Sequence, residues 1–427
     1  MKYLDIKDNI LFIDGVSTPE LAARYGTPLY VFSESEMRGR FRELRECFTE
    51  RYPGARVAYA SKAFLCKAMA KLVQEEGMCL DVVSGGELSV ALSAGFPKEC
   101  IEFNGNNKTP QELDLAVSEG IGRIIVDGLD ELELIEERCR AYDRKVSILF
   151  RITPGVKSST HDYVITGKKD SKFGIPLEDD ILMPLVKNAI DSPCVDFKGF
   201  HFHVGSQLFD NESHLKAADI LLGWVDKVRA AFGYDITEIN LGGGFGATYI
   251  DEERKEFSYF IDPLMKKIYD FYDERGMKRP AVVIEPGRSI VAEAGITLYT
   301  IGAVKEIPGI RKYASIDGGM PDNIRPALYQ SEYTGIIANR ASEAKDDCCT
   351  ISGKCCESGD IIIKNLKMPA PERGDILAVL STGAYGYSMA SNYNMCLIPG
   401  IVFVREGSDR PVVRPQTYDD LISRDVD

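Results

Sequence analysis

The hydrophobic pattern between about residues 30 and 295 alternates between two kinds of segment. Longer stretches such as 68–76 and 219–232 carry apolar residues at helical spacing. Short apolar or β-branched runs lie between such stretches, and there are eight of them: residues 56–60, 79–83, 101–103, 123–126, 146–152, 199–203, 238–241 and 281–284. Runs of this kind are typical of strands buried on both faces of a parallel sheet. Eight such runs over roughly 250 residues predict a (β/α)8 barrel. A doubly wound sheet would also alternate strands and helices, but it would not explain why there are eight strands.

The pattern changes after about residue 294, where little helical spacing remains. Short strands with intervening turns are predicted there, at residues 297–307, 313–317, 361–366, 376–380, 401–405 and 411–414. The first thirty residues are also rich in strand-like runs, at 11–13 and 29–32. The sequence therefore predicts an α/β protein with a barrel over residues 30–295. Residues 1–29 and 296–427 are expected to form a second, mostly β domain.

Composition narrows the class of protein. A chain of 427 residues is too long for one ordinary core, and a formal net charge of -14 argues against general binding to nucleic acid or anionic membranes. No apolar run is long enough to span a bilayer, and the first residues lack a signal-peptide pattern. The 11 cysteines lack the spacing of a disulfide framework. We therefore expect a reducing compartment such as the cytoplasm. No metal site is expected, because Cys-x-x-Cys is absent and the four histidines lack ligand spacing.

Unusual polar residues lie directly after the apolar runs. Active sites of such barrels lie at the carboxyl ends of the strands. Turn formation explains many of the Gly, Pro and Asn residues found there, but not Lys62, His203 or the pair Glu285 and Arg288. Burying the charge of a lysine at the end of a strand is unfavourable unless that charge is paired or removed. Formation of an imine with an aldehyde cofactor would remove the charge. Lys62 is therefore a candidate for covalent cofactor binding.

The glycine-rich run from Gly242 to Gly246 is a second candidate site. Backbone amides without neighbouring Cβ atoms can approach a phosphate closely. Gly242, Gly244 and Ala247 also fit the dinucleotide pattern G-x-G-x-x-A. That interpretation requires a following strand that ends in an acidic residue, and no such strand follows Tyr249. A phosphate-binding loop is the better interpretation.

Several segments occur together in a fixed order from about residue 30 to 393. They are Tyr59-Ala60-Ser61-Lys62-Ala63, Asp81-Val82-Val83-Ser84-Gly85-Gly86-Glu87-Leu88, Asn104-Gly105-Asn106-Asn107, His203-Val204-Gly205-Ser206-Gln207, Glu285-Pro286-Gly287-Arg288, Asp317-Gly318-Gly319-Met320, Arg325-Pro326-Ala327-Leu328-Tyr329, Cys356-Glu357-Ser358-Gly359-Asp360 and Gly383-Ala384-Tyr385. In this order they resemble the fold type III pyridoxal-phosphate decarboxylases, the group with an alanine racemase-like barrel. The closest resemblance is to the diaminopimelate decarboxylases.

The resemblance implies pyridoxal 5'-phosphate as the cofactor and assigns residues to it. Lys62 would carry the cofactor as an imine and later act as a proton carrier. Glu285 would keep the pyridine nitrogen protonated, so that the ring accepts the electron pair left by carbon dioxide. His203 would stack on the ring. The phosphate would be held by a group of polar and backbone contacts, namely Ser206, Gly243, Gly244 and Tyr385.

The resemblance also implies a substrate site and an assembly. Arg288, Arg325, Tyr329 and Glu357 would bind the far end of an amino-acid substrate. Two arginines favour a distal carboxylate, as in meso-diaminopimelate, whose decarboxylation gives L-lysine, whereas ornithine would require acidic residues instead. Cys356 would donate the proton that replaces the lost carboxylate. In the family its segment enters the active site of the other subunit, which implies a homodimer with composite sites.

Three other functions stay open on sequence grounds. A related decarboxylase could act on carboxynorspermidine, ornithine or a pathway-specific amino acid. A non-catalytic relative could bind a partner protein, although Lys62, Cys356 and Glu357 are all present. A racemase would share the barrel and the lysine, but the Cys-Glu-Ser-Gly-Asp segment is foreign to that class.

Overall fold

The computed structural model describes residues 3–156 and 171–426. The chain forms two compact units. The barrel unit consists of Phe41–Gly246 and Arg254–Gly287, and the β unit consists of Met1–Arg40, Ala247–Glu253 and Arg288–Asp427. Within the described residues, no helix is both long enough and apolar enough to cross a bilayer.

The barrel unit contains the eight parallel strands that the sequence predicts. They are β5 (Arg56–Ala60), β6 (Cys79–Val82), β7 (Ile101–Phe103), β8 (Arg123–Val126), β9 (Val146–Thr153), β11 (Val195–His201), β12 (Glu238–Asn240) and β13 (Ala281–Ile284). Each strand pairs with the next, and β13 pairs with β5 to close the sheet. A short strand, β10 (Ile175–Pro176), pairs with the last two residues of β9, Ile152 and Thr153. The predicted barrel is confirmed, and its closure removes every free edge from the eight strands.

Helices alternate with these strands along the chain. They are α3 (Lys67–Glu75), α4 (Gly85–Ser93), α5 (Pro110–Glu119), α6 (Leu129–Tyr142), α7 (Asp179–Asp191), α8 (Glu212–Phe232) and α9 (Phe257–Glu274), preceded by α2 (Glu34–Leu44). Their apolar faces are buried, as for Leu221, Val225 and Val228 of α8. Burial of such a stripe is the main source of helix stability in a barrel of this kind.

The β unit is built mainly from strands. It contains β1 (Leu4–Lys7), β2 (Ile10–Ile13), β3 (Val16–Ser17), β4 (Leu29–Ser33), β14 (Gly295–Ile307), β15 (Arg311–Ile316), β16 (Gly335–Ile337), β17 (Asp347–Ser352), β18 (Ile361–Met368), β19 (Ile376–Val379), β20 (Gly400–Arg405) and β21 (Ser408–Val413). Four short helices accompany them: α1 (Thr18–Tyr25), α10 (Arg288–Val291), α11 (Arg325–Tyr329) and α12 (Tyr418–Ile422). The mostly β second domain expected from the sequence is thus present.

The bounds of the two units differ from the expected division at residues 29/30 and 295/296. Strand β4 pairs antiparallel with β14 and parallel with β20, so its hydrogen bonds lie inside the β unit. The segment Ala247–Glu253 and helix α10 also belong to that unit. An apolar run such as Leu-Tyr-Val-Phe-Ser fits a barrel strand or a β-domain strand equally well, because local pattern does not specify the partner strand.

Candidate active site

A cavity of about 290 Å³ lies in the barrel unit, at the carboxyl ends of the strands. Its lining combines one lysine, one arginine, two histidines, one carboxylate and several small polar residues: Lys62, Val83, Asn104, Gly105, Asn106, Arg151, Phe173, His201, His203 and Glu285. A wider groove between α8 and α9 is lined mainly by exposed charged side chains and contains no such combination. The chemistry therefore points to the cavity, at the end of the barrel where active sites form.

Lys62 lies in the short 3₁₀ turn Ser61–Ala63 that directly follows β5. Its side chain lines the cavity and is half-buried. Among the residues that the structure describes, it forms no hydrogen bond and no ion pair. A half-buried ammonium group without a direct partner is unfavourable, so this position suits an amine that is bound to something else.

Glu285 lies at the end of β13 and is fully buried. Its Oε1 accepts hydrogen bonds from Nδ2 of Asn104 at 3.1 Å and Nδ2 of Asn240 at 2.9 Å, and it lies 3.1 Å from Nε2 of His201. Burial alone would raise the pKa of this carboxyl, but His201 and then Lys62 outweigh burial and lower its pKa to about 2. Glu285 is therefore a buried anion held in one orientation.

His203 follows β11 by two residues and stays neutral. Burial, followed by the nearby charge of Lys62, lowers the pKa of this imidazole well below its usual value. Its Nδ1 accepts the backbone N–H of Gly243 at 3.2 Å, which places the ring proton on Nε2. Burial also lowers the pKa of His201, whose Nε2 faces Glu285 and whose Nδ1 has no partner among the described residues.

The glycine-rich run passes through the most crowded backbone of the site. A Cβ atom on Gly243 would lie 2.1 Å from the carbonyl oxygen of Glu285. Gly244 has a φ of +106°, and a Cβ there would lie 2.6 Å from the carbonyl oxygen of Gly205. Only glycine fits either position. The N–H of Gly243 is already used by His203, whereas the N–H of Gly244 has no partner among the described residues and is available to a ligand. Ser206 is half-buried in the loop before this run.

Five polar groups of the site were not assigned by the sequence analysis. Asp81, Glu102, Arg151, His201 and Asn240 lie on barrel strands and are buried. Asp81 and Glu102 are each the single charged residue of a short apolar strand, and this pattern is a signal of an internal polar site. The strands of Arg151, His201 and Asn240 contain other polar residues, so the sequence gives no such signal there.

The β unit holds the predicted substrate-binding arginines. Arg288 and Arg325 are both buried, and both guanidinium groups lie over the ring of Tyr385, at 4.8 and 5.4 Å from its centroid. Arg325 also lies 5.3 Å from the ring of Tyr329. Tyr385 has a φ of +60°, an uncommon conformation for a residue with a side chain. The structure thus brings four of the predicted residues together.

Cys356 and Glu357 lie elsewhere in the β unit, in the turn between β17 and β18, and both are exposed in the single chain. The N–H of Cys356 donates to Oδ1 of Asn394 at 2.9 Å. Among residues 3–156 and 171–426, the carboxylate of Glu357 accepts only the nearby N–H of Gly359, at 3.2 Å. Both side chains are therefore accessible at the surface of the single chain.

Comparisons with known proteins agree with this chemistry. The family model described as "Pyridoxal-dependent decarboxylase, pyridoxal binding domain" matches residues 35–292. A diaminopimelate decarboxylase from Bacillus subtilis is 45% identical over 417 residues, which cover 97% of this chain and 95% of the relative. One from Staphylococcus aureus is 44% identical over 421 residues and covers 97% of each chain.

A solved structure extends the similarity to the whole fold. A diaminopimelate decarboxylase from M. jannaschii superimposes with a TM-score of 0.93 at 35% identity, covering 100% of this chain and 98% of that one. Sequence identity at this level over almost the full length, together with the match over the barrel, shows common descent. The chain belongs to the pyridoxal-dependent decarboxylases, in the family of the diaminopimelate decarboxylases.

Proposed function

We propose that this protein removes carbon dioxide from meso-diaminopimelate to give L-lysine, with pyridoxal 5'-phosphate as its cofactor. The observation that carries the proposal is Lys62, a half-buried amine that lines the cavity without a hydrogen bond or ion pair among the described residues. The names of the relatives supply the reaction. The residues of the cavity support it independently.

The residues present fit the cofactor. Lys62 would hold its aldehyde covalently. Glu285 is kept anionic by its surroundings and would accept a hydrogen bond from the pyridine N–H. The amide of Gly244 and the hydroxyls of Ser206 and Tyr385 would bind the phosphate. When bound, pyridoxal phosphate supplies an electron-accepting ring for the carbanion that loss of carbon dioxide creates.

The side chains around the cavity have separable tasks. The pKa of Glu285, lowered to about 2, keeps its carboxylate charged, so it can retain a proton on the ring nitrogen throughout turnover. His203 is neutral and would contact the ring without placing a second positive charge beside it. Its orientation is fixed by the N–H of Gly243. Both groups therefore act as preorganised electrostatics.

Arg288 and Arg325 would bind the distal carboxylate of the substrate, assisted by Tyr329 and Glu357. A planar guanidinium matches a carboxylate with two parallel hydrogen bonds. A site with two buried arginines favours a dicarboxylic amino acid over ornithine, whose distal group is an ammonium.

Cys356 would return a proton to the carbon that loses the carboxylate, acting in the site of a second copy of the chain. Its exposure, and that of Glu357, supports this arrangement because both are free to enter a partner's site. We propose a homodimer that works in the cytoplasm. Light scattering should give a mass near twice the chain mass of 47.3 kDa.

The test is release of carbon dioxide from meso-diaminopimelate by the purified protein with pyridoxal phosphate. Lys62→Ala should abolish the reaction. Lys67→Ala, in which an exposed lysine of α3 is removed, should leave the reaction unchanged. Borohydride reduction followed by peptide mass mapping should place the cofactor on Lys62.

Two results would contradict the proposal. Faster turnover of L-ornithine than of meso-diaminopimelate would overturn the substrate assignment. Reduction that attached the cofactor to a lysine other than Lys62 would overturn the assignment of the site.

A further inference from the structure

Arg288 and Arg325 are buried arginines of the β unit, and each is held by the hydroxyl of a buried tyrosine. Nη1 of Arg288 donates to Oη of Tyr249 at 2.7 Å. Nε of Arg325 donates to Oη of Tyr333 at 3.0 Å. All four side chains are buried, with relative exposures of 7% for each arginine, 7% for Tyr249 and 4% for Tyr333.

The two arginine–tyrosine pairs form one connected cluster. The rings of Tyr249 and Tyr333 meet edge to face, with centroids 5.4 Å apart and an interplanar angle of 85°. Such contacts fix the relative orientation of two aromatic rings. The ring of Tyr385 in turn lies against both guanidinium groups. Because buried rings have few alternative rotamers, the positions of the two cations depend on each other.

Within the described part of the chain, the positive charge of Arg325 has no counter-ion. Among the residues that the structure describes, Arg325 forms no ion pair with a carboxylate, and its polar contacts are Tyr333 and the hydroxyl of Ser331 at 3.3 Å. Burial raises the pKa of the Tyr333 hydroxyl to about 12, so it accepts a hydrogen bond but remains uncharged. Burying a guanidinium group beside neutral oxygens alone is costly. The cluster is therefore built to receive an anion.

The hydrogen bonds also determine which part of Arg325 is available. Tyr333 and Ser331 engage Nε and Nη2, which form one edge of the planar guanidinium. Nη1 has no hydrogen-bond partner among the described residues. A carboxylate can accept from that end with good geometry only if the plane of the guanidinium is fixed.

We propose that Tyr249 and Tyr333 are positioning residues that determine specificity for a distal carboxylate, by holding Arg288 and Arg325 in the orientation that receives it. The proposal rests on the proposed function for the identity of the substrate. Neither tyrosine acts on the reacting atoms. Both act through the arginines, so their loss should weaken binding of the carboxylate and leave the chemistry at the cofactor intact.

The experiment uses the holoenzyme of three variants: Tyr249→Phe, Tyr333→Phe and Tyr299→Phe. Tyr299 is the matched control because it is a fully buried tyrosine of the same unit whose hydroxyl has no partner among the described residues. Tyr249→Phe and Tyr333→Phe should each raise KM for meso-diaminopimelate about tenfold, with kcat changed less than about threefold. Tyr299→Phe should match the wild type, and the absorbance of the bound cofactor should be the same in all four proteins.

Ligand binding separates this proposal from the proposed function. L-Lysine keeps one carboxylate, and 1,5-diaminopentane has the same carbon chain and amines without it. Affinity of the holoenzyme for L-lysine should fall about tenfold in Tyr249→Phe and Tyr333→Phe, while affinity for the diamine stays constant. If wild-type protein released no carbon dioxide from meso-diaminopimelate, the proposed function would fail, and these affinities would still test the role of the tyrosines.

A double-mutant cycle distinguishes a specific effect of Tyr333 on Arg325 from a general loss of packing. Tyr333→Phe should have little further effect on L-lysine affinity in an Arg325→Lys background, because lysine lacks the Nε–H that Tyr333 holds. Additive effects of the two substitutions would overturn the proposal. Equal losses of affinity for L-lysine and the diamine would overturn it as well.

Discussion

Nδ2 of Asn240 donates a hydrogen bond to Oε1 of Glu285 at 2.9 Å, at the centre of the barrel. The same amide donates to Oε2 of Glu102 at 3.0 Å, and its Oδ1 accepts the N–H of Gly242 at 2.9 Å. One side chain thus connects the carboxylate of the cofactor site, a second buried acid and the start of the glycine-rich run. Both N–H donors of the amide are used, and its oxygen accepts one hydrogen bond.

Removal of this amide should affect cofactor binding as well as stability. In Asn240→Ala, both carboxylates lose a donor and the glycine-rich run loses its anchor. We expect a loss of about 2 kcal/mol in the free energy of unfolding and an increase of about tenfold in the cofactor dissociation constant. Urea unfolding and absorbance titration with pyridoxal phosphate measure the two quantities. Asn211→Ala, which removes a single contact at an exposed position, is the control, and unchanged cofactor affinity in Asn240→Ala would disprove the coupling.

Glu102 should make the folded protein less stable as pH rises. Burial, and then the neighbouring Glu238, raises the pKa of Glu102 to about 8. Because the folded-state pKa lies above the ordinary value of 4.5, the contribution of Glu102 is fully present below about pH 4.5 and is lost as pH rises through about 8. Glu102→Gln should remove this component, so its urea midpoint should fall less than that of the wild type over that interval.

Glu238 provides the matched comparison for Glu102. Burial raises its pKa, but hydrogen bonds and charge from Arg123 and Arg56 outweigh burial and lower it. Nε and Nη2 of Arg123 and Nη2 of Arg56 all contact this carboxylate. Glu238→Gln should therefore lower the free energy of unfolding by about 3 kcal/mol at neutral pH. Identical pH profiles for Glu102→Gln and the wild type would show that Glu102 ionises freely.

Two glycine substitutions should have opposite effects on stability. Gly244→Ala places a Cβ 2.6 Å from a backbone oxygen at a φ of +106°. We expect the free energy of unfolding to fall by about 2 kcal/mol or more and the cofactor to bind more weakly. Gly223→Ala, at an exposed position of α8 with nothing within 4 Å, should stabilise the protein by about 0.5–1 kcal/mol. Thermal unfolding of both variants is the measurement, and equal melting temperatures would contradict the crowding described for Gly244.

Cys356→Ser should slow turnover without loss of cofactor. If this thiol donates the proton, kcat for meso-diaminopimelate should fall about a hundredfold or more, because a serine hydroxyl is a much weaker acid. The absorbance of the bound cofactor should not change. Cys348→Ser, at another exposed cysteine of the β unit, should retain full activity. A kcat for Cys356→Ser within about twofold of the wild type would assign the proton to another group.

The sequence predicted the barrel because eight apolar runs of strand length separated by helical segments have few other solutions. It also located Lys62, His203 and Glu285, since each lies at or just beyond the end of an apolar run and all three line one cavity. Asn240 and Arg151 were not found, because the direction of a side chain within a strand depends on the register of its neighbours.

The bounds of the two units could not be predicted from the sequence either. Residues 247–253 separate two parts of the barrel unit, yet they belong with the β unit. Tyr249 contacts Tyr333 and Arg288, and these partners are far away in sequence. Contacts of this kind leave no periodic signal in the chain.

Strand β4 has a consequence for the order in which the protein can be completed during translation. The barrel strands occur consecutively, so that sheet can close once residue 284 has left the ribosome. Strand β4 is synthesised before all of them, but its two hydrogen-bonded neighbours are β14 and β20, and β20 ends at Arg405. A nascent chain released before that residue carries an early strand with one edge unsatisfied, which makes premature termination products prone to aggregate.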